Sequence, residues 1–185
     1  MSKTASNMLP LGTTAPHFEL TDVVTSSRVK LKDSADYVAT VLMFICNHCP
    51  YVKHVNSEIT KLANDYMPKK IRFLAISSND VKNYPDDSPE NMRIVAKQEH
   101  YPFPYLYDET QEVAKAYNAA CTPDFYIFSK ELALVYRGQL DDSRPGNNIP
   151  VSGRFIRDAL DCILNNRPVD PEQKPSLGCN IKWKE

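Results

Sequence analysis

A nearly unbroken apolar stretch, Ala39-Thr-Val-Leu-Met-Phe-Ile45, runs directly into Cys46-Asn-His-Cys-Pro50. The stretch is continuous rather than alternating, which is how a central strand buried on both faces reads. Beyond Pro50, residues Val52, Val55, Ile59, Leu62, Ala63 and Tyr66 recur at helical spacing, the pattern of an amphipathic helix. A C-x-x-C pair therefore sits where a buried strand turns into a helix. That junction points to an α/β architecture and places two thiols at its most constrained point.

The other segments fit around this unit. His17 to Leu20 and Arg28 to Leu31 read as a hairpin at the amino-terminal side, and Ile71 to Ile76 as a second core strand. Ser88-Pro89 reads as N-cap and first residue of a helix reaching about Glu99. Asp108 with Gln111 three residues later resembles a capping box for a short helix ending near Tyr117. Thr122-Pro123 precedes a strand at Asp124 to Phe128, with Leu132 to Arg137 as its antiparallel partner. Ser152 is placed to cap a last helix with the stripe Phe155, Ile156, Ala159, Leu160, Ile163 and Leu164. The order implies a mixed central sheet with helices on both faces. Residues 1–185 read as a single domain, with the proline-rich segment 167–185 as a tail wrapped on its surface.

Composition excludes several functions. Twenty-two basic and 23 acidic residues leave a net charge of −1, which gives no electrostatic case for nucleic acid or an anionic membrane surface. The run from Val38 to Cys46 is too short to span a bilayer, and the amino-terminal sequence has no stretch of signal-peptide length. The expected location is the cytoplasm. The five glycines, at positions 12, 138, 146, 153 and 178, never form the spacing of a dinucleotide fingerprint or a P-loop. No histidine completes H-E-x-x-H, and there is no G-x-S-x-G.

Five cysteines remain: Cys46, Cys49, Cys121, Cys162 and Cys179. An odd number spread along such a chain does not read as a secreted disulfide scaffold, so Cys46 and Cys49 are a redox dithiol or half of a metal site. A free thiol ionises near about pH 8.5 and is a poor nucleophile below that. At a helix N-terminus the backbone N–H groups and macrodipole favour the thiolate of Cys46. The imidazole of His48, between the two cysteines, adds to that effect. The metal reading needs two further ligands, which His48, Cys121 or Cys179 would have to supply. His54 reads as a surface residue and Cys162 as packing. Cys121 is either a third redox thiol or a small core residue. The loop Asp141-Asp-Ser-Arg144 is either a salt-bridged turn or a wall of the site.

The segment Cys46-Asn-His-Cys-Pro-Tyr-Val-Lys-His54 resembles the signature of a peroxiredoxin-like subgroup of the thioredoxin superfamily. That subgroup is related to the alkyl hydroperoxide reductase/thiol-specific antioxidant (redoxin) domain. The resemblance continues through Ala15-Pro-His-Phe18, Tyr101-Pro-Phe-Pro-Tyr105, Asp108 to Tyr117, Thr122-Pro-Asp-Phe125, Tyr136-Arg-Gly138, Asp141 to Asn147 and Ser176-Leu-Gly-Cys-Asn-Ile-Lys-Trp183. It implies a thioredoxin-like fold with Pro123 as the cis-proline facing the dithiol. Thr122 would then present its backbone to a substrate cysteine by β-type pairing. Cys179 lies in a tail motif of the same resemblance, as an auxiliary redox thiol or as a tail anchor. Trp183 and Ile181 are expected to pack that tail down.

Two departures qualify the resemblance. Peroxiredoxins are similar to P-x-x-x-T-x-x-C around their reactive cysteine; aligned on Cys49, this chain has Leu42 for the proline and Cys46 for the threonine. Arg137 and Arg144 are the nearest candidates for an activating arginine. Thioredoxin's buried acid corresponds to Thr40, which leaves Asp124, His54 or water as proton acceptor for Cys49. The C-x-H-C pattern is instead similar to protein disulfide isomerase, whose potential of about −180 mV is more oxidising than thioredoxin's of about −270 mV. The expected activity is thiol–disulfide oxidoreduction, with Cys46, Cys49 and His48 catalytic and Thr122 and Pro123 forming the substrate groove. The expected partners are a protein or small-molecule disulfide and an external thiol reductant, with no cofactor. A thiol peroxidase, and a metal- or partner-binding module without catalysis, are the alternatives.

Overall fold

The computed structural model describes residues 3–32 and 36–185; the first two residues of the domain and 33–35 lie outside the described residues. In chain order the strands are β1 (Lys3–Ala5), β2 (Glu19–Asp22), β3 (Arg28–Lys30), β4 (Ala39–Phe44), β5 (Ile71–Ser77), β6 (Tyr105–Tyr107), β7 (Cys121–Thr122), β8 (Asp124–Ser129), β9 (Leu134–Gly138) and β10 (Leu177–Asn180). The helices are α1 (Pro50–Tyr66), α2 (Pro89–Gln98), α3 (Glu112–Ala116) and α4 (Arg154–Leu164). Seven strands form one sheet in the order β3-β2-β6-β5-β4-β8-β9. Its two inner pairings, β4 with β5 and β5 with β6, are parallel, and the rest are antiparallel. The fold is thus a mixed central sheet flanked by helices, of thioredoxin-like type, and the amino-terminal hairpin β2–β3 is joined to it through β6.

Every residue of β4 is buried, as the unbroken apolar run requires of a strand covered on both sides. Val41, Met43 and Ile45 face a core shared with Val52, Ile59 and Leu62 of α1, Met92 of α2, and Ile156 and Leu160 of α4. Leu42 and Phe44 face a second core with Ala114 of α3, Tyr117, Tyr126 and Phe128. Three helices therefore cover one face and the short α3 covers the other. Among the described residues no helix is long and apolar enough to cross a membrane.

Local chemistry explains where the element boundaries depart from the expected ones. Ser88 caps α2 as expected, its side chain accepting from the Asn91 N–H at 3.4 Å. Helix α3 begins at Glu112 rather than beside Asp108. The Asp108 carboxylate reaches forward to accept from the Ala114 N–H at 2.9 Å, while the Gln111 amide donates to Ser78 and Lys182 carbonyls instead of closing a capping box. Helix α4 has Gly153 at its N-cap, with φ of 64°. Asp141, not Ser152, satisfies that turn, accepting from the Ser152 and Gly153 N–H groups at 2.7 Å each.

The tail differs most from its expected role. Rather than wrapping the surface, Leu177–Asn180 forms β10, the middle strand of a second sheet ordered β1-β10-β7. Ile181 is buried as expected, whereas Trp183 is 41% exposed and does not pin the tail.

Candidate redox site

The site is assembled where three segments meet: the β4–α1 junction, β7 with the residues after it, and β10. Strand β4 ends at Phe44 and α1 starts at Pro50, with Cys49 as the N-cap. The helix therefore begins three residues later than an N-terminal position for Cys46 would need, so its N–H groups serve Cys49. Cys46 lies just ahead, 2% exposed, and Cys49 is fully buried. The Thr122–Pro123 bond is cis. Cys46 Sγ lies 3.3 Å from Thr122 Oγ1, and Cys49 Sγ lies 3.2 Å from the Thr122 carbonyl oxygen.

Cys179 is the third sulfur. Its Sγ is 2.8 Å from Cys49 Sγ. Cys121, one residue before Thr122, is buried beside this group, with its Sγ 3.9 Å from the Pro123 carbonyl. Burial pushes its thiol well up, and the negative charge on Asp124 adds to the shift. Cys162 is partly exposed on α4 and lies outside the cluster.

The two dithiol sulfurs titrate as a pair in opposite directions. Cys49 is lowered to about 5, chiefly by its interaction with the Cys46 thiol and further by Cys179, against the opposing effect of burial. The Cys49 thiol also donates to the Thr122 carbonyl. Cys46 goes up, because it donates to Cys49, is buried and faces the charge of Asp87. Cys179 is pushed up to about 12, by burial first and by its bond to Cys49 second. The pair thus favours ionisation at Cys49 over Cys46, the reverse of what the position of His48 alone suggests.

His48 is held by Asp87, a residue that belongs to no motif and is not among the expected site residues. Its Nδ1 lies 2.6 Å from Oδ2 of Asp87, whose side chain is fully buried. The same carboxylate accepts from the Asn47 N–H at 2.7 Å, the His48 N–H at 3.3 Å and the Asn79 amide at 2.8 Å. The imidazole stacks on Tyr84 at 5.7 Å between centroids. Its Nε2 is buried with no hydrogen-bond partner among the described residues. Donor atoms of Cys46, His48 and Asp87 all lie within 4.8 Å of one another. That cluster is the geometry of a thiol, an imidazole and an orienting carboxylate, and it is also a three-donor set of the kind that holds a divalent metal.

The remaining candidates go elsewhere. His54 is not a free surface residue: its Nε2 lies 2.7 Å from Ser143 Oγ. Asp124 is buried, accepts from Tyr126 Oη at 2.9 Å and is raised by desolvation to about 7. Arg137 donates to the Leu9 carbonyl and to Gln173. Arg144 donates to the Asp141 and Ser143 carbonyls and to Gln139. Among the described residues no guanidinium bonds either dithiol sulfur, and the loop at Asp141 is a hydrogen-bonded turn that lines a small cleft with His54 and Pro123.

Comparison with known proteins agrees with this geometry. Residues 11–137 match the AhpC/TSA family, and a search of curated proteins gave no match. An uncharacterized conserved protein from Geobacillus kaustophilus is 65% identical with a TM-score of 0.98, covering 100% of this chain and 97% of its own. A hypothetical protein from Sinorhizobium meliloti 1021 is 43% identical with a TM-score of 0.96, covering 98% of each chain. The thioredoxin domain of a thiol-disulfide oxidoreductase from Bacteroides vulgatus shares the fold at 16% identity and a TM-score of 0.61, over 71% of this chain and 90% of that one. With the family matched across both cysteines of the dithiol and the strand after the cis-proline, the chain belongs to the AhpC/TSA family and is a peroxiredoxin-like member of the thioredoxin superfamily.

Proposed function

We propose that the protein is a thiol–disulfide oxidoreductase working through Cys46 and Cys49. The observation that supports this reading best is the placement of both thiols at the β4–α1 junction against Thr122 and the cis Pro123. Cys46 keeps what exposure the pair has, 2% against 0% for Cys49, and is the sulfur we assign to meet an external disulfide. The His48 imidazole, oriented by Asp87, takes the Cys46 proton as Cys46 Sγ attacks one sulfur of the substrate disulfide. The first substrate thiolate leaves and collects that proton. Cys49, already a thiolate, then attacks Cys46 Sγ, expelling the second substrate thiolate and leaving a Cys46–Cys49 disulfide. Two electrons have passed from the dithiol to the substrate, and an external thiol returns the protein to its reduced form. A thiolate stabilised in the reduced state makes the couple more oxidising than thioredoxin's potential of about −270 mV. Thr122 and Pro123 are assigned to the substrate groove, with β10 lying along the Thr122 edge in the reduced protein, and a cytoplasmic location fits a catalyst that must be kept reduced.

Stopped-flow mixing of reduced, metal-free protein with a model protein disulfide and with hydrogen peroxide tests this reading in wild type, Cys46→Ser and Cys49→Ser. Fast disulfide exchange that needs Cys46, with slow peroxide reaction, is expected. Fast peroxide reaction carried by Cys49 would transfer the protein to the thiol peroxidases. The cluster of Cys46, His48 and Asp87 favours a second reading, a metal-binding module. Stoichiometric zinc in the purified protein, with no exchange activity after its removal, would establish that reading instead.

A further inference from the structure

The backbone edge of Thr122, which the thioredoxin-like arrangement leaves for a substrate strand, is filled by the chain's own tail. Strand β10 pairs antiparallel with β7, placing Cys179 opposite Thr122 and Asn180 opposite Cys121. The tail backbone lies so close that a methyl group on Gly178 would overlap the Thr122 carbonyl; only glycine admits this approach. The placement is reinforced on both sides. Strand β1 pairs along the other edge of β10, with Lys3 opposite Cys179. Further along, the Lys182 N–H donates to Asn79 Oδ1 at 2.8 Å, and Asn79 in turn donates to Asp87. The tail thereby reaches the carboxylate that orients His48. Within this frame a cysteine, rather than an inert side chain, stands 2.8 Å from the sulfur of Cys49.

We propose that β10 is a tethered substrate mimic and that Cys179 is a third exchange thiol, converting the Cys46–Cys49 disulfide into a Cys49–Cys179 disulfide. The step rests on the oxidoreductase reading above and balances without any further reagent. Cys179 Sγ attacks Cys49 Sγ, the Cys46–Cys49 bond breaks, and the proton of Cys179 ends on Cys46. No electrons are gained or lost, and Cys46 is returned as a thiol while the protein stays oxidised. The influence of Cys49, which adds to burial in holding Cys179 protonated, disappears once Cys49 is in a disulfide. The oxidised protein then carries its outer thiol in the reduced form and its inner thiol locked to the tail.

The test is disulfide mapping of the full chain oxidised with diamide, which accepts the two hydrogens of a dithiol. After alkylation of the remaining thiols and non-reducing digestion, two linked peptides are expected, Cys46–Cys49 and Cys49–Cys179. In Cys46→Ser the Cys49–Cys179 link is expected as the only one, and in Cys179→Ser it disappears while Cys46–Cys49 remains. Wild-type protein in which only Cys46–Cys49 forms, with Cys179 fully alkylated, overturns the proposal and leaves the oxidoreductase reading standing. Absence of both links overturns the two together. If Cys179→Ser does not fold, the wild-type and Cys46→Ser maps decide the question by themselves.

Discussion

The two faces of β4 share a backbone and are built by different means. On one, Phe44 packs at 5.9 Å between centroids from both Tyr117 and Tyr126, with Phe18 and Phe128 completing an aromatic cluster. Its polar tips are satisfied close by: Tyr117 Oη donates to the Pro16 carbonyl at 2.7 Å and Tyr126 Oη to Asp124 at 2.9 Å. On the other face, Val41, Met43 and Ile45 lead to three sulfurs, an imidazole and the buried carboxylate of Asp87. Volume and ring geometry hold the first face. The second is held by hydrogen bonds between segments distant in the chain, and a buried polar network must be nearly complete to be tolerated. The aromatic face is expected to set stability and the thiol face reactivity, and substitutions can separate the two.

The largest separation is expected from Cys46→Ser, which should lower disulfide exchange by on the order of a thousandfold with little change in Tm. Phe44→Ala should do the reverse, costing about 3–5 kcal/mol of stability while the folded fraction exchanges at the wild-type rate. Denaturant melts paired with exchange assays would show the comparison to be wrong if either variant moved both readouts. Asp87→Asn should lower exchange about tenfold to a hundredfold and change its pH profile, because His48 loses the acceptor that orients it. A loss of rate with an unchanged profile would assign Asp87 to packing alone. Gly178→Ala should cost about 1–3 kcal/mol and speed alkylation of Cys49 by lifting β10, which peptide mass mapping would read.

A further, pH-dependent effect concerns Asp124. Its carboxyl stands at about 7 in the folded protein against an ordinary 3.8. Between those values the folded state binds more protons than the unfolded one, so stability falls as pH rises from about 4 to about 7 and is level above that. Asp124→Asn should flatten that stretch of the stability profile. Cys49 has the opposite sign, and its thiolate absorbance should vanish as pH falls through about 5, with no such step in Cys49→Ser.

Local patterning carried the aromatic face and half of the thiol face. The buried strand, the stripe of α1 and the Ser88 cap all follow from spacing within one element, and each stands where periodicity places it. The C-x-x-C spacing likewise brought Cys46 and Cys49 to notice before any coordinate. Asp87 was not legible, because it is 40 residues from the backbone N–H that it accepts and sits in a polar stretch that reads as an ordinary turn. Cys179 is separated from Cys49 by 130 residues, and β10 is too short and too glycine-bound to show an alternating pattern. Gly178 showed as one residue of a tail motif, while the reason for it, the approach to Thr122, exists only once two distant strands are paired. Helix α1 starts at Pro50 with Cys49 as its N-cap, a boundary that spacing alone set at Cys46.

The distance in sequence between Cys49 and its tail partner has a consequence in time. A ribosome adding about 5–20 residues per second takes on the order of ten seconds to travel from Cys49 to Cys179, an interval set by those 130 residues. Through that interval β4 and α1 can form, since their contacts are local, but the dithiol has no third strand over it. The nascent chain thus carries an uncovered thiol pair, and the finished chain a covered one. Newly made and mature copies of the same protein are chemically different reagents, and the last strand to be synthesised separates them.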